Sequence, residues 1–172
     1  DRFYLFDSRY PFYQVPNLTK GTRYDVPKLI GTISESGNKA RQFPERDGKG
    51  KYLISDAEAA RWLIHLNAYD DTSAKPTKTD DGSKRLSPGT GWLGKIGPVY
   101  AEGENLEETL LLNLVLADEN GSPWDRGTAA WELDIPKEEE RTLIDHPKSQ
   151  VELLTLQSRR TLLLRDGKHV SG

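Results

Sequence analysis

Residues 87–116 constrain this chain more than any other stretch. A loop with glycines at positions 89, 91, 94 and 97 carries Trp92 and runs on into Asn105-Leu-Glu-Glu-Thr-Leu-Leu-Leu-Asn-Leu-Val-Leu. Asn105 with Glu108 three residues later is a helix-start pattern, in which the side-chain oxygen accepts a bond from a free backbone N–H of the first turn. The spacing predicts a helix over 106–117, apolar enough around its circumference to be buried. Glycine has no Cβ, so the preceding loop lets backbone approach something bulky, and a buried helix would hold that loop still. Rigid backbone contact is therefore the first functional expectation.

Composition narrows the classes. The chain is 35% apolar and 30% charged, against about 25% charged in ordinary globular domains. Its 172 residues suit one domain or a piece of a larger one. The net charge is −3, so any nucleic-acid site must be local. There is no cysteine, which excludes disulfides, thiol catalysis and cysteine-held zinc within this chain and fits a cytoplasmic location. No run approaches the ~18 apolar residues of a membrane span, so no membrane partner is expected. The sequence contains no methionine, and its last strand has hardly begun at Lys168-His-Val170. Both features read as those of an internal fragment.

Along the chain, Arg2 to Val15 reads as an extended segment whose core contacts are Phe3, Leu5, Phe12 and Val15. Asp25 caps a helical turn entered through Val26-Pro27. Ser55-Asp-Ala-Glu58 opens a helix through about Asn67, with Ala60, Leu63 and Ile64 on its inner face. Residues 70–85 hold no large apolar side chain, and loops of that length are usually functional or disordered. Ser149-Gln-Val-Glu152 starts a helix ending near Ser158. Thr161–Arg165 and Lys168–Val170 around Asp166-Gly167 read as a hairpin with a type I′ turn. Helices separated by extended stretches give an α+β fold of mixed helices and short strands.

Two places carry candidate chemistry. Lys84, Arg85 and Lys95 flank the glycine loop, whose amides would suit a phosphate or a groove wall. The loop has neither a strand before its glycine pattern nor the Gly-Lys-Ser/Thr of a phosphate-binding loop, which argues against a nucleotide cofactor. An ordinary turn-rich connector remains the competing reading. In the second place, Lys39, Arg41, Arg46, Lys49 and Lys51 outnumber Glu45 and Asp47 by three charges around Phe43. Basic residues around an exposed aromatic suit a phosphate backbone with a stacked base. A solvated loop with Phe43 tucked into the core is the alternative.

His65, His146 and His169 lack metal-ligand spacing, and His65 reads as structural. Asp70-Asp71 and Asp80-Asp81 read as a solvated acidic loop rather than a metal site. No catalytic residue, metal or cofactor is expected.

The ordered motifs resemble a known family. Phe3-Tyr-Leu-Phe-Asp7, Pro11-Phe-Tyr-Gln-Val15, Glu58-Ala-Ala-Arg-Trp-Leu63 and Gly89-Thr-Gly-Trp92 are similar to segments of the CasA family, the large subunit of the type I-E CRISPR surveillance complex, Cascade. So are Asn105 to Leu114, Trp124-Asp125, Ala130-Trp-Glu132 and Leu154-Thr-Leu-Gln-Ser-Arg-Arg160, in the same order. Tyr13 and Leu156 depart from the Met and Trp common in the family.

The resemblance implies that residues 1–172 are a fragment of the larger α/β N-terminal domain, with the C-terminal helical bundle absent. It implies a non-catalytic subunit in antiviral defence that binds double-stranded target DNA beside its flanking motif. Guide RNA, other Cascade subunits and a recruited helicase-nuclease are the implied partners. Ser87–Trp92 would meet the minor groove of the flanking motif, with Gly89, Thr90 and Gly91 nearest the DNA. Backbone contact with degenerate minor-groove edges gives permissive sequence reading. Phe43 would touch the 5′ handle of the guide RNA, with Arg41 and Arg46 as phosphate partners. On this reading bulky replacements at Gly89 and Gly91 weaken DNA binding and leave the fold intact. The alternative function is a protein-interaction scaffold without direct DNA contact.

Overall fold

A computed structural model describes residues 2–19, 21–35, 39–70, 91–114, 117, 120–122, 127–133 and 147–172. Among these the elements are α1 (Val26–Leu29), α2 (Asp56–Tyr69), α3 (Trp92–Ile96), α4 (Leu106–Leu112), α5 (Gln150–Leu154), β1 (Arg165–Asp166) and β2 (His169–Val170). Single 3₁₀ turns cover Gly48–Lys51 and Ala130–Glu132. The class is α+β, as the alternation of capped helices and extended stretches predicts.

The long helix α2 organises the rest. Ser55 Oγ accepts from the Glu58 N–H at 3.2 Å, which satisfies one of the free donors of the first turn. Ala59 and Leu63 are wholly buried against Val26, Ile30 and Ile33 of the α1 region and against Val170 of β2. Ile64 and Ala60, expected on the inner face, are exposed and partly buried respectively. The stripe instead runs Ala59, Leu63, Asn67, at i, i+4 and i+8. A polar residue completes it, so apolar letters alone misplace its centre.

The N-terminal segment packs on the C-terminal one. Leu5, Phe12, Tyr13 and Val15 are buried. Gln14 ties the two together: its Nε2 donates to the Leu5 carbonyl at 2.7 Å, and its Oε1 accepts from the Leu163 N–H at 2.7 Å. The Val15 N–H donates to the Thr161 carbonyl at 3.0 Å. Phe3, expected in the core, is exposed, though its ring lies 5.7 Å from Phe12 and 6.1 Å from Trp131.

The hairpin turn falls one residue later than the sequence suggests. Asp166 pairs with His169 and Arg165 with Val170, leaving Gly167-Lys168 as the central residues. Gly167 has φ +58° and Lys168 is not left-handed, so the pattern is that of a type II′ rather than a type I′ turn. Arg165 joins the hairpin to α2 by an ion pair with Asp56 and lies 4.1 Å over the Phe6 ring.

Two helices are shorter than expected, each stopped by a side chain that bonds backbone. Asn113 Nδ2 donates to the Thr109 and Ala101 carbonyls at 2.6 and 2.7 Å, and its Oδ1 accepts from the Ala101 N–H at 2.9 Å. This two-way pairing with Ala101 follows Leu112, where α4 ends. Thr155 Oγ1 donates to the Val151 carbonyl at 2.6 Å and accepts from the Ala130 N–H at 3.0 Å, at the end of α5. The caps of α4 and α5 are as the sequence predicts, with Asn105 Oδ1 and Ser149 Oγ accepting from the N–H groups of Glu108 and Glu152, whereas Asp25 stands before α1 without a side-chain cap bond. Burial of α4 is not. Leu106, Leu110, Leu111 and Leu112 are 74%, 58%, 60% and 54% exposed.

Candidate nucleic-acid interface

The two candidate places lie at opposite ends of α2. Glu58 and Ala68, the α2 residues that meet them, are ten residues apart, or about 15 Å along the axis at 1.5 Å per residue.

At the N-terminal end sits the basic segment. Phe43 is 94% exposed, so the alternative of a ring tucked into the core does not hold. The cations around it are partly committed. Arg41 Nε donates to the Ile33 carbonyl at 2.9 Å, and its N–H donates to Glu35 Oε1 at 2.7 Å. Arg46 pairs with Glu58 at 2.5 Å, with side chains 32% and 20% exposed. Lys51 pairs with the other Glu35 oxygen at 2.7 Å. The Lys51 hydrogen bond, helped by the Arg41 N–H, holds the Glu35 carboxyl below its ordinary value. These bonds fasten the segment to residues 33–35 and to α2 while leaving the Phe43 ring in solvent.

At the C-terminal end the glycine loop re-enters the described structure. Gly91 is buried and is the N-cap residue of α3. Its N–H donates to the Asp70 carbonyl at 3.0 Å. A Cβ on Gly91 would lie 2.3 Å from the Ala68 carbonyl carbon and oxygen and 2.5 Å from the Tyr69 nitrogen, so only glycine fits against this backbone. The bulky object that Gly91 approaches is α2 itself. A bulky residue there would disturb the fold, contrary to the sequence expectation. Lys95 is exposed on α3. Lys84, Arg85, Gly89 and Thr90 lie outside the described residues.

Asp70 is not part of a solvated acidic loop. Its Oδ2 accepts from Arg159 Nε at 2.6 Å, and the two side chains are 4% and 7% exposed. The Arg159 N–H donates to Asn67 Oδ1 at 2.9 Å, while Asn67 Nδ2 donates to the Leu63 carbonyl at 3.1 Å. Ser158 Oγ donates to the Asn67 carbonyl. Sequence reasoning missed this cluster. Its one visible signal was Asn67, a polar residue four positions after Leu63 on a buried stripe.

His65 lies one turn before this cluster, its ring 5.3 Å from Trp62 and 5.4 Å from Tyr69. Burial pushes its imidazole below the ordinary value, and the Asp70 charge offsets part of that. Among the described residues no group of three or more acidic, histidine or cysteine side chains is placed to hold a metal ion, and no helix is long and apolar enough to cross a membrane.

Comparison with known proteins supplies the context. The family model for CRISPR-associated protein Cse1 matches residues 1–172. No curated protein sequence matches. Among solved structures, Cse1 of Thermobifida fusca superposes with a TM-score of 0.75 at 30% identity, over 99% of this chain and 33% of that one. CasA (Cse1) of Thermus thermophilus superposes with a TM-score of 0.62 at 23% identity, over 99% of this chain and 32% of that one. The chain thus spans about a third of the length of these relatives. Matched by the family model along its whole length, the chain belongs to the CRISPR-associated Cse1, or CasA, family.

Proposed function

We propose that this chain is part of the N-terminal domain of a non-catalytic recognition subunit in a type I-E Cascade complex. It works in the cytoplasm and takes part in antiviral defence. The Lys84 to Gly91 neighbourhood, with Lys95, contacts the flanking motif of double-stranded target DNA. Phe43, Arg41 and Arg46 contact the 5′ handle of the guide RNA. Other Cascade subunits hold the chain in place, and a helicase-nuclease is recruited to the assembled particle.

The observation that carries this reading is the Phe43 ring, 94% exposed on a segment fastened by Arg41, Arg46 and Lys51. An apolar ring held out in water by a pinned loop supports a stacking role, since every base offers a face to it. Arg46 would exchange Glu58 for a phosphate at modest cost, because the pair is partly in water and ion pairs reached by solvent contribute only about 0–1 kcal/mol. At the glycine loop, the fixed position of Gly91 puts the burden of DNA approach on Gly89 and Thr90.

The test is binding of guide RNA and of duplex DNA by complexes carrying Phe43→Ala or Gly89→Val. Weaker retention of the guide by the first, and weaker binding of flanking-motif DNA by the second, are expected. Normal values for both, with normal assembly, would remove the assignment.

The exposed leucines of α4 favour one alternative, a scaffold whose contacts are with protein. Binding through such a face shows little salt dependence, whereas phosphate contacts give a steep one.

A further inference from the structure

The Gln-Ser-Arg-Arg motif at 157–160 has no part in the proposed function, yet its Ser158 and Arg159 bond a buried polar cluster at the C-terminal end of α2. Asp70 and Gly91 are twenty-one positions apart in sequence, and the Gly91 N–H bonds the Asp70 carbonyl at 3.0 Å. The two flanks of segment 71–90 are thus fastened to each other. Arg159 sits on that junction: its Nε bonds the Asp70 carboxylate at 2.6 Å, and its N–H bonds Asn67 at 2.9 Å. Ser158 adds a bond to the Asn67 carbonyl, so the last turn of α2 is gripped through side chain and backbone together. Gly91 packs on the same turn with no room for a Cβ.

We infer that Arg159, with Asp70, Asn67 and Gly91, forms a clasp that sets where the segment between Asp70 and Gly91 leaves and rejoins the fold, making Arg159 a positioning residue for DNA contact. The inference rests on the proposed DNA role of Lys84, Arg85, Gly89 and Thr90. Arg159 itself need not touch nucleic acid. It acts through the backbone of Asp70 and Gly91. The chemistry suits the task. A buried guanidinium is planar, rigid and always charged, and its loss takes a short charge-assisted bond from the buried Asp70 carboxylate.

The experiment uses the subunit assembled in its complex, as wild type, Arg159→Gln, Arg159→Lys and Gly89→Val. Backbone hydrogen exchange is read at residues 91–97 and at residues 26–33, together with affinity for duplex DNA bearing the flanking motif. In Arg159→Gln, exchange at Gly91 accelerates about tenfold or more while residues 26–33 keep wild-type protection. Arg159→Lys, which keeps the charge and loses the fork, falls between. It also carries the test if Arg159→Gln fails to assemble. DNA affinity declines in the same order.

Unchanged exchange at Gly91 in the Arg159 variants overturns the clasp. So does equal acceleration at 26–33, which makes Arg159 a general stabiliser. If Gly89→Val loses DNA binding while accelerated exchange in Arg159→Lys leaves binding intact, the positioning role is overturned. If exchange accelerates locally and all variants bind DNA as wild type, the clasp stands and the proposed DNA site is what fails.

Discussion

The two ends of α2 carry similar charges to opposite effect. At the N-terminal end, Arg46 meets Glu58 at 2.5 Å with both side chains partly in water. At the C-terminal end, Arg159 meets Asp70 at 2.6 Å with both nearly sealed from it. The first pair is screened and exchangeable, worth about 0–1 kcal/mol. The second is buried, and removing one partner takes a charge-assisted bond from a buried group, at a cost of about 3–5 kcal/mol. One pair is thus open to exchange with solvent ions, and the other holds the end of α2. The roles proposed above, recognition at one end and positioning at the other, would use these different settings of the same ion pair.

The strongest way to break this contrast is Arg159→Ala. It should cost about 3–5 kcal/mol in urea unfolding, and a loss under about 1 kcal/mol would make the two ends equivalent. Gly91→Val comes next, with a loss of about 1–3 kcal/mol from forcing α3 off the Ala68 carbonyl, measured by the same unfolding. Phe43→Ala should leave stability within about 0.5 kcal/mol of wild type and weaken guide binding by about 1–3 kcal/mol, separating function from fold at the exposed end. Arg46→Ala should change stability by less than about 1 kcal/mol and lower the salt slope of nucleic-acid binding by about one charge.

Acid sharpens the same comparison. The His65 pKa is depressed by burial, so its contribution is present above the ordinary value of 6.5 and is lost as pH falls through the lower, folded value. The exposed end is set by Glu35, depressed from 4.5, whose contribution drains only in more acid solution. Between about pH 7 and pH 5, urea midpoints should fall in wild type and fall less in His65→Asn. Identical slopes would mean His65 takes no part.

How much of this was legible in the sequence follows from distance along the chain. The caps at Ser55, Asn105 and Ser149 were readable because each bonds an N–H three residues away. The ends of α4 and α5 were not, because Asn113 and Thr155 are stopped by Ala101 and Ala130, which local pattern cannot pair with them. Gln14 and Leu163 meet across 149 positions, and Arg159 and Asp70 across 89, so neither contact has a local signature. Gly91 shows the limit most clearly. Its type announced a close approach, but only the fold says that the partner is the Ala68 backbone. The leucines of α4 read as core by composition, yet they lie exposed.

The segment between Asp70 and Gly91 is proposed to meet target DNA. That contact is tested most directly by measuring duplex binding across a salt series with assembled complexes carrying wild-type subunit or Gly89→Val. Affinity for flanking-motif DNA should fall sharply in the variant, with assembly and the exchange of residues 91–97 unchanged. Equal affinity of the two complexes at every salt concentration would contradict it.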